Sequence, residues 1–208
     1  MKLLHIDSSI TGSASASRML THYVVEQICQ QNDDVQVEYL DLADNPPPYF
    51  SADSLGLRLG LDDANLSDRQ RAENVISEQL VSQFLAADTL VIGAPFYNFT
   101  IPSQLKSWLD RIAQAGRTFR YTANGPEGLA GGKTVYIVIS RGGVYSGSEQ
   151  GQALEHQESY LRVMFGFMGV TDLRFIYAEG MAQAPEQRQA ILDKAKASVA
   201  SLLEQATV

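Results

Sequence analysis

The chain has 208 residues, 45% of them hydrophobic and 19% charged, which suits one folded α/β domain over residues 1–208 with a sizeable core and excludes a disordered chain. The formal net charge is −8 and no Lys/Arg cluster stands out, so nucleic acid and anionic membrane are poor partners. The single cysteine, Cys29, excludes an intrachain disulfide, no apolar run approaches the roughly 18 residues of a membrane span, and Met1–Asp7 is too short for a signal peptide; the expected location is cytoplasmic.

Lys2–Asp7 (KLLHID) predicts a first strand. Ser8–Ser17 (SSITGSASAS) is a polar run of small residues, and an amphipathic helix follows to about Gln31, carried by Met19, Leu20, Tyr23 and Val24, with Cys29 as core filler beside Val25 and Ile28. Strand, Ser/Thr/Gly loop and helix together offer free N–H groups and hydroxyls to an anion at a helix N-terminus. The alternative is capping by Ser15 or Ser17 without a ligand. The spacing is neither a Walker A loop nor GxGxxG. With so acidic a composition, an anion has to be held by backbone and hydroxyls more than by a basic patch.

Val35–Leu40 reads as a second strand by alternation, and Asp41–Phe50 (DLADNPPPYF) as a breaker-rich connection before a short helix within Ser51–Leu61. Ser67 and Gln70 form a capping box for a helix to about Ala86, with Val75, Ile76, Leu80, Val81 and Phe84 inward. Leu90–Ile92 is a strand buried on both faces. It ends in Gly93-Ala94-Pro95, and Phe96-Tyr97-Asn98-Phe99 follows as an aromatic loop. Pro102 opens a helix with Leu105, Trp108, Leu109 and Ile112 on one stripe, and Gly116 is its stop. Two aromatics and an amide at the carboxyl end of a buried strand suit a flat heteroaromatic ring, the alternative being that Phe96 and Phe99 fold back into the core.

Phe119 and Tyr121 alternate with Arg120, as in a short exposed hairpin with turn signals at Asn124-Gly125-Pro126. Thr134–Ser140 is another fully buried strand, ending in Arg141-Gly142-Gly143. The two glycines allow backbone to approach a ligand, or else make a tight turn. A loop follows to Gln150, then a helix over Gln152–Gly169 with Leu154, Leu161, Phe165 and Met168 inward, a last strand over Asp172–Ala178, and a final helix from Pro185 or Glu186 to about Ala206.

Five strands alternating with helices predict a flavodoxin-like three-layer α/β sandwich, its parallel sheet ordered 2-1-3-4-5 with helices on both faces. That order brings Ser8–Ser17, Phe96–Phe99 and Ser140–Gly143 to one crevice. No GxSxG, HExxH or CxxC motif is present, no metal site is indicated, and His5, His22 and His156 are scattered structural or surface residues. A hydrolase working through its own side chains is hard to build here. A bound flavin would carry the redox chemistry itself, and main-chain N–H groups near Asn98, Phe99 and Gly142 could serve the ring edge.

The stretches PFYNFTIPSQLKSWLD (Pro95–Asp110), FRYTANGPEGL (Phe119–Leu129), SRGG (Ser140–Gly143) and FGFMGVTD (Phe165–Asp172), with the Ser9…Ser15-Ala16-Ser17 loop, resemble the FMN-dependent NADH azoreductases of the flavodoxin-like quinone reductase superfamily, essentially end to end. The resemblance implies a homodimer with one FMN per subunit at the interface. It also implies ping-pong transfer from NADH to quinones and, over two rounds, reductive cleavage of azo compounds to amines. By matching position, Ser9, Ser15, Ala16 and Ser17 would hold the FMN phosphate; Pro95, Phe96, Tyr97, Asn98, Phe99, Ser140, Arg141, Gly142 and Gly143 would line the ring; and Phe119, Tyr121 and Phe165 would belong to the substrate pocket. No side chain is implied as a catalytic residue. The family commonly has methionine where this chain has Phe96, and the Val144–Gln150 loop also departs from it. The rival readings are a flavodoxin-type electron carrier without small-molecule turnover and a flavin-free structural or regulatory protein of the same fold.

Overall fold

A computed structural model describes residues 1–183 and 185–204. Five strands form one parallel sheet: β1 (Lys2–Asp7), β2 (Gln36–Asp41), β3 (Thr89–Pro95), β6 (Thr134–Ser140) and β7 (Asp172–Ala178). Their order is β2-β1-β3-β6-β7. The two remaining strands, β4 (Phe119–Thr122) and β5 (Gly125–Gly128), make a separate antiparallel hairpin. With that hairpin set aside, the order is the 2-1-3-4-5 expected from the sequence.

Alternation along the strands splits the core in two. Leu3 of β1, Val91 of β3, and Tyr136 and Val138 of β6 face α1 (Ala16–Gln31) and α7 (Arg188–Glu204), which contribute Leu20, Val24, Ile28, Leu192 and Val199. Leu4, Ile6, Leu90, Ile92, Val135 and Ile137 face the other way. They meet Phe84 of α3 (Asp68–Ala86), Leu105 and Trp108 of α4 (Ser103–Ile112), and Leu161 and Phe165 of α6 (Glu158–Phe167). Central β3 is buried along its whole length, as a strand covered by helices on both faces must be. Among the described residues no helix is long and apolar enough to cross a membrane.

The helix starts follow their chemistry. Ser67 and Gln70 exchange hydrogen bonds in a full capping box at α3, and Ser15 caps α1 by accepting from Arg18 N–H at 3.3 Å. The expected short helix is α2 (Leu55–Arg58), entered through a 3₁₀ turn at Ala52–Ser54. Another 3₁₀ turn, Pro185–Gln187, leads into α7. The final helix was expected to reach Ala206, which lies outside the described residues.

Several expectations are corrected. The single helix expected over Gln152–Gly169 is two, α5 (Glu149–Ala153) and α6, because Gln157 turns inward between them. Fully buried, its Nε2 donates to the carbonyls of Ala94 (2.7 Å) and Pro95 (3.2 Å) at the end of β3. Leu154 is left exposed in the break. Cys29 is exposed, not core filler, because the neighbouring Ile28 takes the buried face of α1. Val75 also points to solvent. Helix α4 stops at Ile112, before Gly116, with Ala113 as its C-cap. The hairpin is not simply exposed: Phe119 is fully buried with its ring 4.5 Å from Phe167. A Cβ on Gly128 would lie 2.0 Å from Gly169 N, so only glycine lets the hairpin dock there.

The breaker-rich connection after β2 is fixed by a polar anchor. Arg111 of α4 is completely buried and donates to Pro48 O (2.9 Å), Ser77 Oγ (3.1 Å) and Glu73 Oε2 (2.5 Å). Removing one member of such a pair strands the other. Arg111→Ala is expected to lower stability by about 3 kcal/mol in urea unfolding, and Arg111→Lys to recover only part of that, since an ammonium cannot span the three acceptors.

Candidate active site

The carboxyl ends of β1, β3 and β6 deliver three loops to one cleft. The first, after β1, begins at two buried serines. Ser8 Oγ donates to Gly93 O at 2.6 Å, tying this loop to β3. Ser9 Oγ shares hydrogen bonds with Thr11 Oγ1 (3.1 Å) and Tyr97 OH (3.2 Å). A 3₁₀ turn at Gly12–Ala14 then feeds α1. There Ser15 Oγ is 3.0 Å from Ser17 Oγ, while Arg18 N–H goes to Ser15 Oγ and Met19 N–H to Ser15 O. The amides of Ala16 and Ser17 are left without an intrahelical acceptor, at the positive end of the helix.

This loop is braced from below and behind. Arg18 forks onto Ser9 O (2.9 and 3.3 Å) and onto both oxygens of Asp41 (2.5 and 2.7 Å). The Arg18 hydrogen bonds hold the Asp41 carboxyl below the usual carboxylate range, against the opposing effect of burial. Beneath lies Asp7, fully buried, accepting from Thr21 Oγ1 (2.9 Å) and Tyr39 OH (3.1 Å), with His5 Nε2 at 3.5 Å. Burial pushes Asp7 up, but His5, Thr21 and Tyr39 outweigh it and hold it low. A Cβ on Gly93 would sit 2.7 Å from Asp7 Oδ1, so β3 needs glycine there.

The second loop, after β3, is a tight turn. Tyr97 and Thr100 exchange backbone hydrogen bonds of 3.0 and 3.1 Å across Asn98 and Phe99, whose φ values are +49° and +71°. Two positive φ values are the signature of a type I′ turn, usually Asn-Gly. Phenylalanine in that position is strained by roughly 1–2 kcal/mol, a cost found mostly at functional turns. Phe96 and Tyr97 are half-buried and Phe99 is exposed, so the rings do not fold back into the core. His156 N–H donates to Phe99 O at 3.0 Å, locking the turn from the α5–α6 break.

The third loop, after β6, presents backbone. Phe96 N–H donates to Ser140 O (2.8 Å), and Met181 and Ala182 N–H donate to the carbonyls of Arg141 and Gly142, both at 3.0 Å. The Arg141 side chain turns away and is buried between Glu155 (3.0 Å) and Glu179 (2.8 Å). Glu179 also accepts from Tyr145 N–H and the Ser146 hydroxyl, which pins the Val144–Gln150 loop. Burial pushes the Glu179 carboxyl up, and these donors with Arg141 hold it low.

The cleft between the loops has a volume of about 330 Å³. Of the cofactor residues expected from the sequence, Ser9, Ser15, Ala16, Pro95, Phe96, Tyr97, Ser140, Arg141 and Gly142 line it. Ser17 is fully buried behind Ser15, and Asn98 faces an adjoining pocket of about 470 Å³ with Ile10 and Tyr160. Phe99 and Gly143 do not line the cleft. The substrate-pocket expectation is corrected for two residues: Phe119 and Phe165 are fully buried core rings, and only Tyr121 is exposed. Sequence reasoning missed Thr11, Ala14, Met181, Ala182 and Arg188, which also line the cleft. A larger cavity of about 860 Å³ lies across Arg141, beside β7 and α7, lined by Glu155, Glu158 and Glu179 together with Arg141 and Lys194.

One end of the cleft thus holds free amides and hydroxyls, and the other an aromatic wall with a backbone edge. The profile of the family described as having a flavodoxin-like fold matches residues 1–203. The chain belongs to the flavodoxin-like family. Within it, the FMN-dependent NADH:quinone oxidoreductase of Delftia acidovorans is 59% identical over 199 residues, covering 96% of this chain and 93% of the relative. That of Laribacter hongkongensis is 51% identical over 203 residues, 98% and 100% of the two chains. Among flavodoxin-like structures, an azoreductase from Bacillus anthracis superposes with a TM-score of 0.87 at 28% identity, covering 97% of this chain and 98% of that one. An FMN-dependent NADH-azoreductase from the same species, solved in complex with FMN, gives 0.84 at 26% identity with the same coverage. The donor set fits FMN on its own terms, since neutral amides and hydroxyls suit a phosphate and flat half-buried rings suit a heterocycle.

The Arg18–Asp41 pair makes the bracing pH-dependent. A carboxylate held low in the folded state adds stability above its unfolded value near 3.8, and that stability is lost as pH falls through the folded value. Arg18→Gln is therefore expected to be less stable near neutral pH, with its deficit shrinking below about pH 4. Urea midpoints at both ends of that window check this.

Proposed function

We propose that this chain is an FMN-dependent NADH:quinone oxidoreductase that also cleaves aromatic azo compounds to amines. The carrying observation is that free helix-terminal amides, an aromatic wall and a backbone edge converge on one cleft at the β1/β3 switch point of the sheet. The 59% identity to an enzyme of that name supports the reading.

FMN, when bound, supplies a two-electron carrier between NADH and the acceptor. The chain's own residues bind and orient. The hydroxyls of Ser9 and Ser15 and the amides of Ala16 and Ser17 would hold the phosphate, with the buried Ser17 hydroxyl holding Ser15 from behind. Phe96, Tyr97 and the backbone of Ser140–Gly142 would hold the ring. The hydrogen bond between Ser9 and Tyr97 links the two ends, so phosphate and ring positions are set together. No lining side chain is assigned an obligatory proton transfer: Arg141 is committed to carboxylates, the Tyr97 hydroxyl to Ser9 and the Ile10 amide, Arg188 to the Ala14 carbonyl, and the serines are capping or loop-bracing groups. A homodimer with the site at its interface is part of the proposal, supported by apolar side chains exposed around the cleft, Ile10 and Phe99 among them.

In anaerobic titration, NADH is expected to bleach the bound flavin at one equivalent per site, and a quinone or an azo dye to restore the colour. Bound flavin that NADH leaves yellow would shift the reading to an electron carrier. Tyr121→Phe is expected to keep turnover within about tenfold; a loss beyond about a hundredfold with FMN still bound is the size of a missing general acid and would sink the account.

A further inference from the structure

Arg188, the first residue of α7, was not among the residues the sequence singled out, yet it lines the cleft at the end formed by Thr11, Ala14, Ser15 and Ala16. Its Nη2 donates to Ala14 O at 2.8 Å, two residues before the free amides of α1. We propose that Arg188 is a phosphate-binding residue of this site, its guanidinium supplying the positive charge for the 5′-phosphate of FMN. The inference rests on the reading of the cleft as a flavin site.

Three observations carry it. The first is the balance of charge. A phosphate monoester brings close to two negative charges to a chain whose net charge is already −8. The other arginines near the cleft are spent: Arg18 on Asp41, and Arg141 on Glu155 and Glu179. The second is that Arg188 forms no ion pair among the described residues and is only half-buried. The third is its position on α7. A cation in the first turn of a helix opposes the helix dipole, so an anion beside it relieves an unfavourable placement. The contact to Ala14 O uses one donor of a five-donor fork, and the remaining donors suit the tetrahedral oxygens of a phosphate. Delivered from the C-terminal helix to the N-terminal loop, Arg188 would close the phosphate end by joining elements 174 residues apart.

The test compares FMN with riboflavin, which shares the ring and lacks the phosphate. Dissociation constants are measured by flavin fluorescence on the full chain for the parent protein and for Arg188→Gln and Arg188→Lys, at low and high salt. Glutamine keeps a neutral N–H donor at this position and removes the charge together with the guanidinium fork. Arg188→Gln is expected to weaken FMN about tenfold and leave riboflavin within about twofold, as for the loss of one charge-assisted hydrogen bond. Lysine should recover part of the loss, and the salt dependence of FMN binding should flatten in the glutamine variant. Riboflavin falling in parallel with FMN, FMN affinity unmoved, a salt dependence unchanged, or an effect confined to the KM for the nicotinamide nucleotide would each overturn the proposal. Failure of the parent protein to bind either flavin would instead overturn the flavin reading beneath it.

Discussion

The molecule depends on how closely β1 and β3 approach at Asp7 and Gly93. The two residues are partners in the parallel register, and the Asp7 carboxylate occupies the space where any side chain on β3 would begin. A buried carboxylate is costly unless its lone pairs are filled, and Thr21 and Tyr39 fill them. Thr21 is on α1 and Tyr39 on β2, so one carboxylate gathers a helix and three neighbouring strands behind the first loop of the cleft. The loop after β1 can stay irregular because what lies beneath it is rigid.

The other loops are held by the same device, a buried polar side chain that satisfies main-chain carbonyls at a strand or loop end. Gln157 does this for the end of β3, and Arg111 for the connection after β2. Arg141 does the complementary job, holding Glu179 where it can receive the amide of Tyr145. Irregular backbone near a binding site carries groups that no sheet or helix pairs, and these side chains replace the missing partners. The cost is sensitivity, because removing any one of them leaves buried carbonyls or charges unmatched.

Much of this was legible in the sequence. The apolar runs LLHI, TLVIGA and TVYIVIS read as strands buried on both faces, and the alternation of strands with helices leaves few topologies. The three cleft loops were legible because small polar, aromatic and glycine residues followed three such strands. What escaped is what periodicity does not encode. Gln157 is an unremarkable polar residue in a helical pattern, yet its amide breaks the helix. Phe119 alternates with charged Arg120 as an edge strand would, but the Gly128–Gly169 approach seats it in the core. Arg111 and Arg188 sit on helices where an arginine is ordinarily a solvated residue; their partners lie 63 and 174 positions away.

The exposed Cys29 has a practical consequence. It is the only cysteine in the chain and sits on α1, the helix whose first turn faces the cleft. It lies thirteen positions beyond Ala16, so at 1.5 Å per residue it is about 20 Å along the axis from the first turn of the helix. A dye coupled through maleimide would report from one defined place, close enough for energy transfer to a yellow chromophore and far enough not to touch it. The protein carries its own attachment point for an optical gauge of cleft occupancy.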